Sequence, residues 1–81
     1  MKLTSILRFN TENTANKRLV TTTVISENCS LGQALTMIES WCYDNNADYP
    51  RTCDLWKNEG YIRVKIVTRD NKYINIFSIE D

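Results

Sequence analysis

Apolar residues recur at intervals of three and four positions between residues 30 and 47, and this pattern predicts a helix. An α-helix completes a turn in about 3.6 residues, so the spacing lines up one apolar stripe along its surface. Ser30 and Gln33 match a capping box, which marks the first turn. The stripe consists of Leu31, Ala34, Leu35, Ile38, Trp41 and Cys42. We expect this helix to end near residues 45–46 and to form the core against which the other elements pack.

Four further stretches alternate apolar and polar residues or are rich in β-branched residues, and both patterns are typical of strands. These stretches span residues 1–9, 18–25, 61–68 and 73–79. The first two are separated by a polar segment at residues 10–17, which we interpret as a loop across which they pair antiparallel.

The last two predicted strands form a hairpin around a turn at residues 69–72, where Asp and Asn tolerate the backbone angles of a turn. One register of the hairpin places Ile74 on the same face as Val64, and the other register places Phe77 there. A slip of one residue exchanges the two faces of a strand, so the sequence leaves both registers open.

The order strand, strand, helix, strand, strand predicts an α+β fold. We expect a two-layer sandwich, with an antiparallel four-stranded sheet and the helix packed on one face. The strand order is left open. Between the helix and the last hairpin, Pro50 interrupts the chain, and a short helical turn is expected at residues 52–57. With 81 residues, the chain has the size of a single domain, residues 1–81.

The chain offers little of the chemistry that catalysis or metal binding requires. It has no histidine, the commonest general base, and its two glycines, Gly32 and Gly60, do not form a phosphate-binding loop. Cys29, Cys42 and Cys53 include no CxxC pair, so we interpret them as reduced thiols rather than disulfide partners or zinc ligands. We therefore expect a protein that is not an enzyme and that uses no metal and no cofactor.

The sequence also indicates where the protein acts. No apolar run approaches the ~18 residues that span a bilayer, and the first residues lack the apolar centre of a signal peptide. We therefore expect a cytoplasmic protein without a membrane partner. Its size and lack of catalytic equipment suit a stand-alone regulator, inhibitor or immunity-type protein of the kind that phages and other mobile elements carry.

Charge is unevenly distributed although the net charge is zero. Residues 1–20 carry a balance of +3, residues 21–60 a balance of −4 and residues 61–81 a balance of +1. The acidic part also holds both tryptophans and two of the four tyrosines, and these types dominate protein interfaces. We therefore predict a protein-binding site around the end of the helix. Its candidate contacts are Glu39, Tyr43, Asp44, Asp48, Tyr49, Asp54 and Trp56. For Trp56, a core position and an interface position stay equally open.

Two other kinds of partner stay open. The outer face of the last hairpin alternates aromatic and basic residues, as nucleic-acid platforms do, through Tyr61, Arg63, Lys65 and Arg69. A half-exposed strand carries such residues outward in any case, so a solvated face explains the same pattern. Self-association is the third alternative, because an exposed sheet edge can pair with its own copy.

Overall fold

A computed structural model describes residues 1–10, 21–49, 55–58 and 60–81, with only the backbone for residues 55–58. Five strands and one helix follow one another in the order β-β-α-β-β-β. The elements are β1 (Lys2–Phe9), β2 (Thr21–Ser26), α1 (Leu31–Asp44), β3 (Leu55–Asn58), β4 (Tyr61–Val67) and β5 (Tyr73–Glu80). The predicted loop at residues 11–17 and the predicted start of the second strand at residues 18–20 lie outside the described residues.

All five strands form one antiparallel sheet in the order β2-β1-β5-β4-β3. The predicted α+β class, with an antiparallel sheet and one helix, is confirmed. The sheet has one strand more than predicted, because β3 pairs with β4 where a helical turn was expected. That expectation is wrong for residues 55–57, and residues 52–54 lie outside the described part. Gly60 precedes β4 with a φ of 78°, a conformation that glycine adopts without steric cost.

The register of the last hairpin places Val64 opposite Phe77, which is the second of the two alternatives. Opposite residues of an antiparallel pair lie on the same face of the sheet. Phe77 is fully buried, and its ring meets that of Trp41 edge-on, with centroids 5.7 Å apart. The observed register therefore turns Phe77, the largest of the fully buried side chains, toward the helix, whereas the alternative would place it on the opposite face of the sheet.

Helix α1 begins as the capping box predicts. The backbone N–H of Gln33 donates to Ser30 Oγ at 3.1 Å, and the backbone N–H of Ser30 donates to Gln33 Oε1 at 2.9 Å. Three residues of the predicted stripe are buried against the sheet, namely Ala34, Ile38 and Cys42. Leu35 and Trp41 are half-buried, and Leu31, in the first turn, is exposed. The helix ends at Asp44, slightly before the predicted end.

One polar pair lies within this core. Asn75 is fully buried in the central strand β5, and Ser5 of β1 is 8% exposed. The Ser5 hydroxyl donates to Asn75 Oδ1 at 2.7 Å. The other amide atom, Asn75 Nδ2, is buried and has no hydrogen-bond partner among the described residues. Within the same residues, no helix is both long and apolar enough to cross a membrane.

Candidate functional site

The chain reverses direction immediately after α1. The Asn45 backbone N–H and its side-chain Nδ2 both donate to the Trp41 carbonyl oxygen, at 3.0 and 2.9 Å, and thereby cap the helix. Asn46 follows with a φ of 53°, in the left-handed region that asparagine tolerates better than most residues. The Ala47 N–H then donates to the Cys42 carbonyl oxygen at 2.9 Å. This turn brings Ala47 beside Thr68, with which it forms an isolated bridge.

Arg69, in the turn between β4 and β5, contacts residues 45–49, which we call the exit segment. Its Nε and Nη2 both donate to Asp48 Oδ1, at 3.0 and 2.7 Å, and its Nη1 donates to Asn46 Oδ1 at 2.9 Å. Its backbone N–H also donates to the Asn46 carbonyl oxygen, at 3.0 Å. The Arg69 and Asp48 side chains are 57% and 79% exposed, so the ion pair adds little stability. The four hydrogen bonds of Arg69, together with the Ala47–Thr68 bridge, position the exit segment relative to the sheet.

A groove of about 410 Å3 opens between the last turns of α1, the exit segment and Arg69. We call it the exit groove; it is lined by Glu39, Cys42, Tyr43, Asn46, Ala47, Tyr49 and Arg69. Cys42 and Ala47 are buried and form its floor. Tyr43 is 89% exposed, and Tyr49 is 39% exposed. The groove therefore combines an apolar floor with two accessible aromatic rings.

Two titratable groups of the groove, Cys42 and Tyr49, have raised pKa values. Burial, with smaller contributions from the nearby Glu39 and Asp48 carboxylates, raises the pKa of the Cys42 thiol to about 11. Burial and Glu39 also raise the pKa of Tyr49. Both groups are therefore neutral near pH 7, and Cys42 is a poor nucleophile because the thiolate is the reactive form. The charges of the groove are those of its carboxylates and Arg69.

The structure brings together part of the residue set predicted from sequence. Glu39, Tyr43 and Tyr49 line the exit groove, and Asp48 is held at its rim by Arg69. Asp44, the last residue of α1, is exposed but does not line the groove. Asp54 lies outside the described residues. For Trp56, the structure describes only the backbone, in β3 and paired with Arg63, so its side-chain role stays open.

Four groove residues were not among the protein contacts predicted from sequence: Cys42, which was assigned to the buried stripe of the helix, and Asn46, Ala47 and Arg69. The adjacent asparagines after the helix were a local signal for a turn at this point. Arg69 was assigned to the nucleic-acid alternative, and its contact with Asp48 joins residues 21 positions apart. A contact over that distance depends on how the strands pair, which the local sequence pattern does not reveal.

The remaining residues of the nucleic-acid alternative lie on the face of the sheet opposite α1, which we call the open sheet face. Tyr61, Arg63 and Lys65 alternate with the buried residues Val64 and Ile66 along β4. The Arg63 guanidinium lies over the Tyr61 ring, 5.1 Å from its centroid. The pairing register adds to this face Lys2, Arg8 and Glu80. The strand face is thus basic, as the distribution of charge along the sequence predicted.

Comparison of the chain with protein-family models, with curated proteins and with solved structures found no match. The function is therefore inferred from two surfaces of the protein. They are an acidic groove with exposed tyrosines at the end of α1 and a basic face on the other side of the sheet.

Proposed function

We propose that this protein is a cytoplasmic, non-catalytic binding module that recognises a basic segment of another protein in the exit groove. The observation that carries the proposal is the exposure of Tyr43, which is 89% accessible beside the buried floor formed by Cys42 and Ala47. Bound in this way, the protein acts as a regulator or inhibitor that works by contact.

The aromatic rings supply the affinity. Tyrosine is enriched among the few interface residues that contribute most of the binding energy, because its ring buries a large area and its hydroxyl forms hydrogen bonds. Tyr43 and Tyr49 lie on the same groove, so one partner segment can contact both rings. The Arg69 contacts to Asp48 and Asn46 fix the exit segment before binding, which lowers the entropic cost of association.

The charges select the kind of partner. Glu39 lines the groove, and Asp44 and Asp48 are exposed nearby, whereas Arg69 is already engaged by Asp48. The surplus is negative, so lysine or arginine side chains of a partner complement it. Such complementarity speeds encounter and suppresses acidic competitors.

Substitution of Tyr43 tests the proposal with little risk to the fold, since its side chain is almost fully exposed. Tyr43→Ala should weaken binding of a partner selected with the wild-type protein by about thirtyfold, the loss of a typical hot-spot residue. Candidate partners come from a displayed library of lysine- and arginine-rich peptides and from lysate capture, and each affinity is measured by calorimetry.

Leu31→Ala is the matched control, because Leu31 is also an exposed apolar residue of α1 but lies at the opposite end of the helix. The proposal predicts that Leu31→Ala binds like the wild type and that Glu39→Lys binds more weakly. A partner that binds Tyr43→Ala and Glu39→Lys with wild-type affinity would show that the exit groove is not the binding site.

The open sheet face supports a second candidate function, nucleic-acid binding. In the part of the chain that the structure describes, the strand register brings four cations, Lys2, Arg8, Arg63 and Lys65, to this face together with one carboxylate, Glu80. Titration with single- and double-stranded oligonucleotides at low salt tests this candidate. Binding that weakens as salt rises and is reduced in Arg63→Ala supports a phosphate-led contact. Lys72→Ala, in the turn between β4 and β5, is the matched control and should bind like the wild type. Unchanged binding by Arg63→Ala would contradict nucleic-acid binding by this face.

A further inference from the structure

The two edges of the sheet differ in how well they are protected from further pairing. Among the described residues, no strand pairs with the outer side of β2 or of β3. Strand β3 has four residues, one of which is a lysine, and short, lysine-bearing edge strands resist pairing with other chains. Strand β2 has six residues, Thr-Thr-Thr-Val-Ile-Ser, without a charge or a proline. Within these six described residues, β2 lacks the usual protection of an edge strand.

The side chains of β2 are also accessible on both faces of the sheet. All its residues except Ser26 are exposed, including Val24 at 43% and Ile25 at 40%. The register with β1 places Thr21 and Thr23 on the side of the sheet that faces α1, yet both are exposed. Helix α1 therefore does not cover β2. Beside it, a groove of about 640 Å3 lies on the helix side, and it is lined by Ser26, Asn28, Cys29, Gly32, Gln33, Thr36 and Met37.

We propose that β2 pairs antiparallel with β2 of a second copy of this chain, so that two five-stranded sheets join into one ten-stranded sheet. The pairing uses the outward N–H and C=O groups of alternate β2 residues, which antiparallel neighbours satisfy mutually. Both helices then lie on the same side of the continuous sheet. This inference is independent of the exit groove, since Arg69 and the exit segment adjoin β4, whereas β2 forms the opposite edge.

The charge pattern of β2 indicates that its pairing partner is a second copy of this chain. Two-fold symmetry places each residue of a strand opposite a residue of the same strand, so any charge in it meets a like charge nearby. The absence of charge from Thr21 to Ser26 removes this repulsion, whereas the four-residue sequence of β3 includes Lys57. Threonine and β-branched apolar residues, which make up most of β2, are also favourable cross-strand pairs.

The geometry of the sheet limits where the symmetry axis can lie. Directly opposite residues share a face of the sheet. A two-fold axis perpendicular to the sheet therefore lies midway between one residue of β2 and the same residue of the second copy. The centre of β2 lies between Thr23 and Val24. With the axis at Thr23, the two Thr23 side chains are directly opposed, and with the axis at Val24 they are still diagonal neighbours within about 8 Å.

Charge substitution at Thr23 tests this proposal, since the side chain is exposed and its replacement leaves the core intact. Sedimentation velocity over a range of concentrations should show a reversible dimer for the wild type. Thr23→Lys and Thr23→Glu should each raise the dimer dissociation constant by up to about fivefold, the effect of like charges opposed across a sheet. An equimolar mixture of the two variants should restore dimerisation.

Val67→Lys is the matched control, because it adds the same charge at an exposed strand residue far from β2. It should dimerise like the wild type.

Amide hydrogen exchange supplies a second measurement, in which β2 amides become slower to exchange as protein concentration rises. A wild-type protein that remains monomeric up to millimolar concentration would overturn the proposal. It would also be overturned by Thr23 variants that dimerise with unchanged affinity, or by assemblies larger than two copies. None of these outcomes depends on Tyr43, so they leave the exit-groove proposal unaffected.

Discussion

Replacement of Ser5 by alanine tests the polar pair inside the core. The Ser5 hydroxyl is the partner of Asn75 Oδ1, at 2.7 Å, and Nδ2 of the same amide has no partner among the described residues. Ser5→Ala therefore leaves a fully buried amide with neither of its polar atoms paired. A buried polar group that loses its partner costs about 1–3 kcal/mol. We expect the free energy of unfolding to fall by that amount.

The same reasoning predicts a different result when both polar groups are removed. Asn75→Leu in the Ser5→Ala background replaces the unpaired amide with an apolar side chain, at a position facing Leu7 and Ile66 across the sheet. Replacing both partners of a buried hydrogen bond by apolar groups is nearly neutral or stabilising. The double variant should therefore be at least as stable as the wild type.

Urea denaturation followed by tryptophan fluorescence measures all three proteins, since Trp41 packs against Phe77 in the core. For a domain of this size, a change of 1 kcal/mol shifts the thermal midpoint by about 4–8 °C, so the loss is easily resolved. If Ser5→Ala were as stable as the wild type, the inferred burial of an unpaired amide would be refuted. A double variant less stable than Ser5→Ala alone would show that the amide contributes to stability through contacts other than this hydrogen bond.

Two further predictions concern α1. Ser30→Ala removes the side-chain half of the capping box and should lower the free energy of unfolding by about 1 kcal/mol; unchanged urea denaturation would contradict the role of the cap. The raised pKa of Cys42, about 11 in the folded protein, adds a pH-dependent contribution to stability. It is fully present below the ordinary thiol pKa of about 9 and is lost as the pH rises through about 11. Urea midpoints should therefore fall more steeply over this interval in the wild type than in Cys42→Ala, and equal slopes would contradict burial of the thiol.

Much of the fold could be predicted because its signals are local. The capping box and the stripe from Ala34 to Cys42 depend on residues three or four positions apart, and the strands of the final hairpin depend on simple alternation. The hairpin register could not be predicted, because it depends on the contact of Phe77 with Trp41, two residues far apart in the sequence. Strand β3 was missed for a similar reason, since four residues form a strand only where β4 offers an edge.

The aromatic and acidic residues of the candidate site could be predicted from the sequence, but the contacts that position them could not. Tyr43 and Tyr49 were predicted from their residue type and their positions, Tyr43 on the polar side of the helix and Tyr49 in the acidic segment that follows it. The role of Arg69 could not be deduced, because its contacts with Asn46 and Asp48 arise only when the β4–β5 turn is brought beside the end of α1. The helix thus contributes its buried stripe to the fold and its exposed C-terminal end to the proposed site.

The central position of β5 has a consequence for how the chain folds. It pairs with β1, about 70 residues earlier in the sequence, and among the described strands it alone connects the β1–β2 pair to the β3–β4 pair. During synthesis, both hairpins and α1 leave the ribosome before the element that joins them exists. The β1–β2 and β3–β4 pairs therefore cannot join into one sheet until β5 forms, and until then one edge of β1 is unpaired. Assembly of the five-stranded sheet should therefore be a cooperative step that depends on β5.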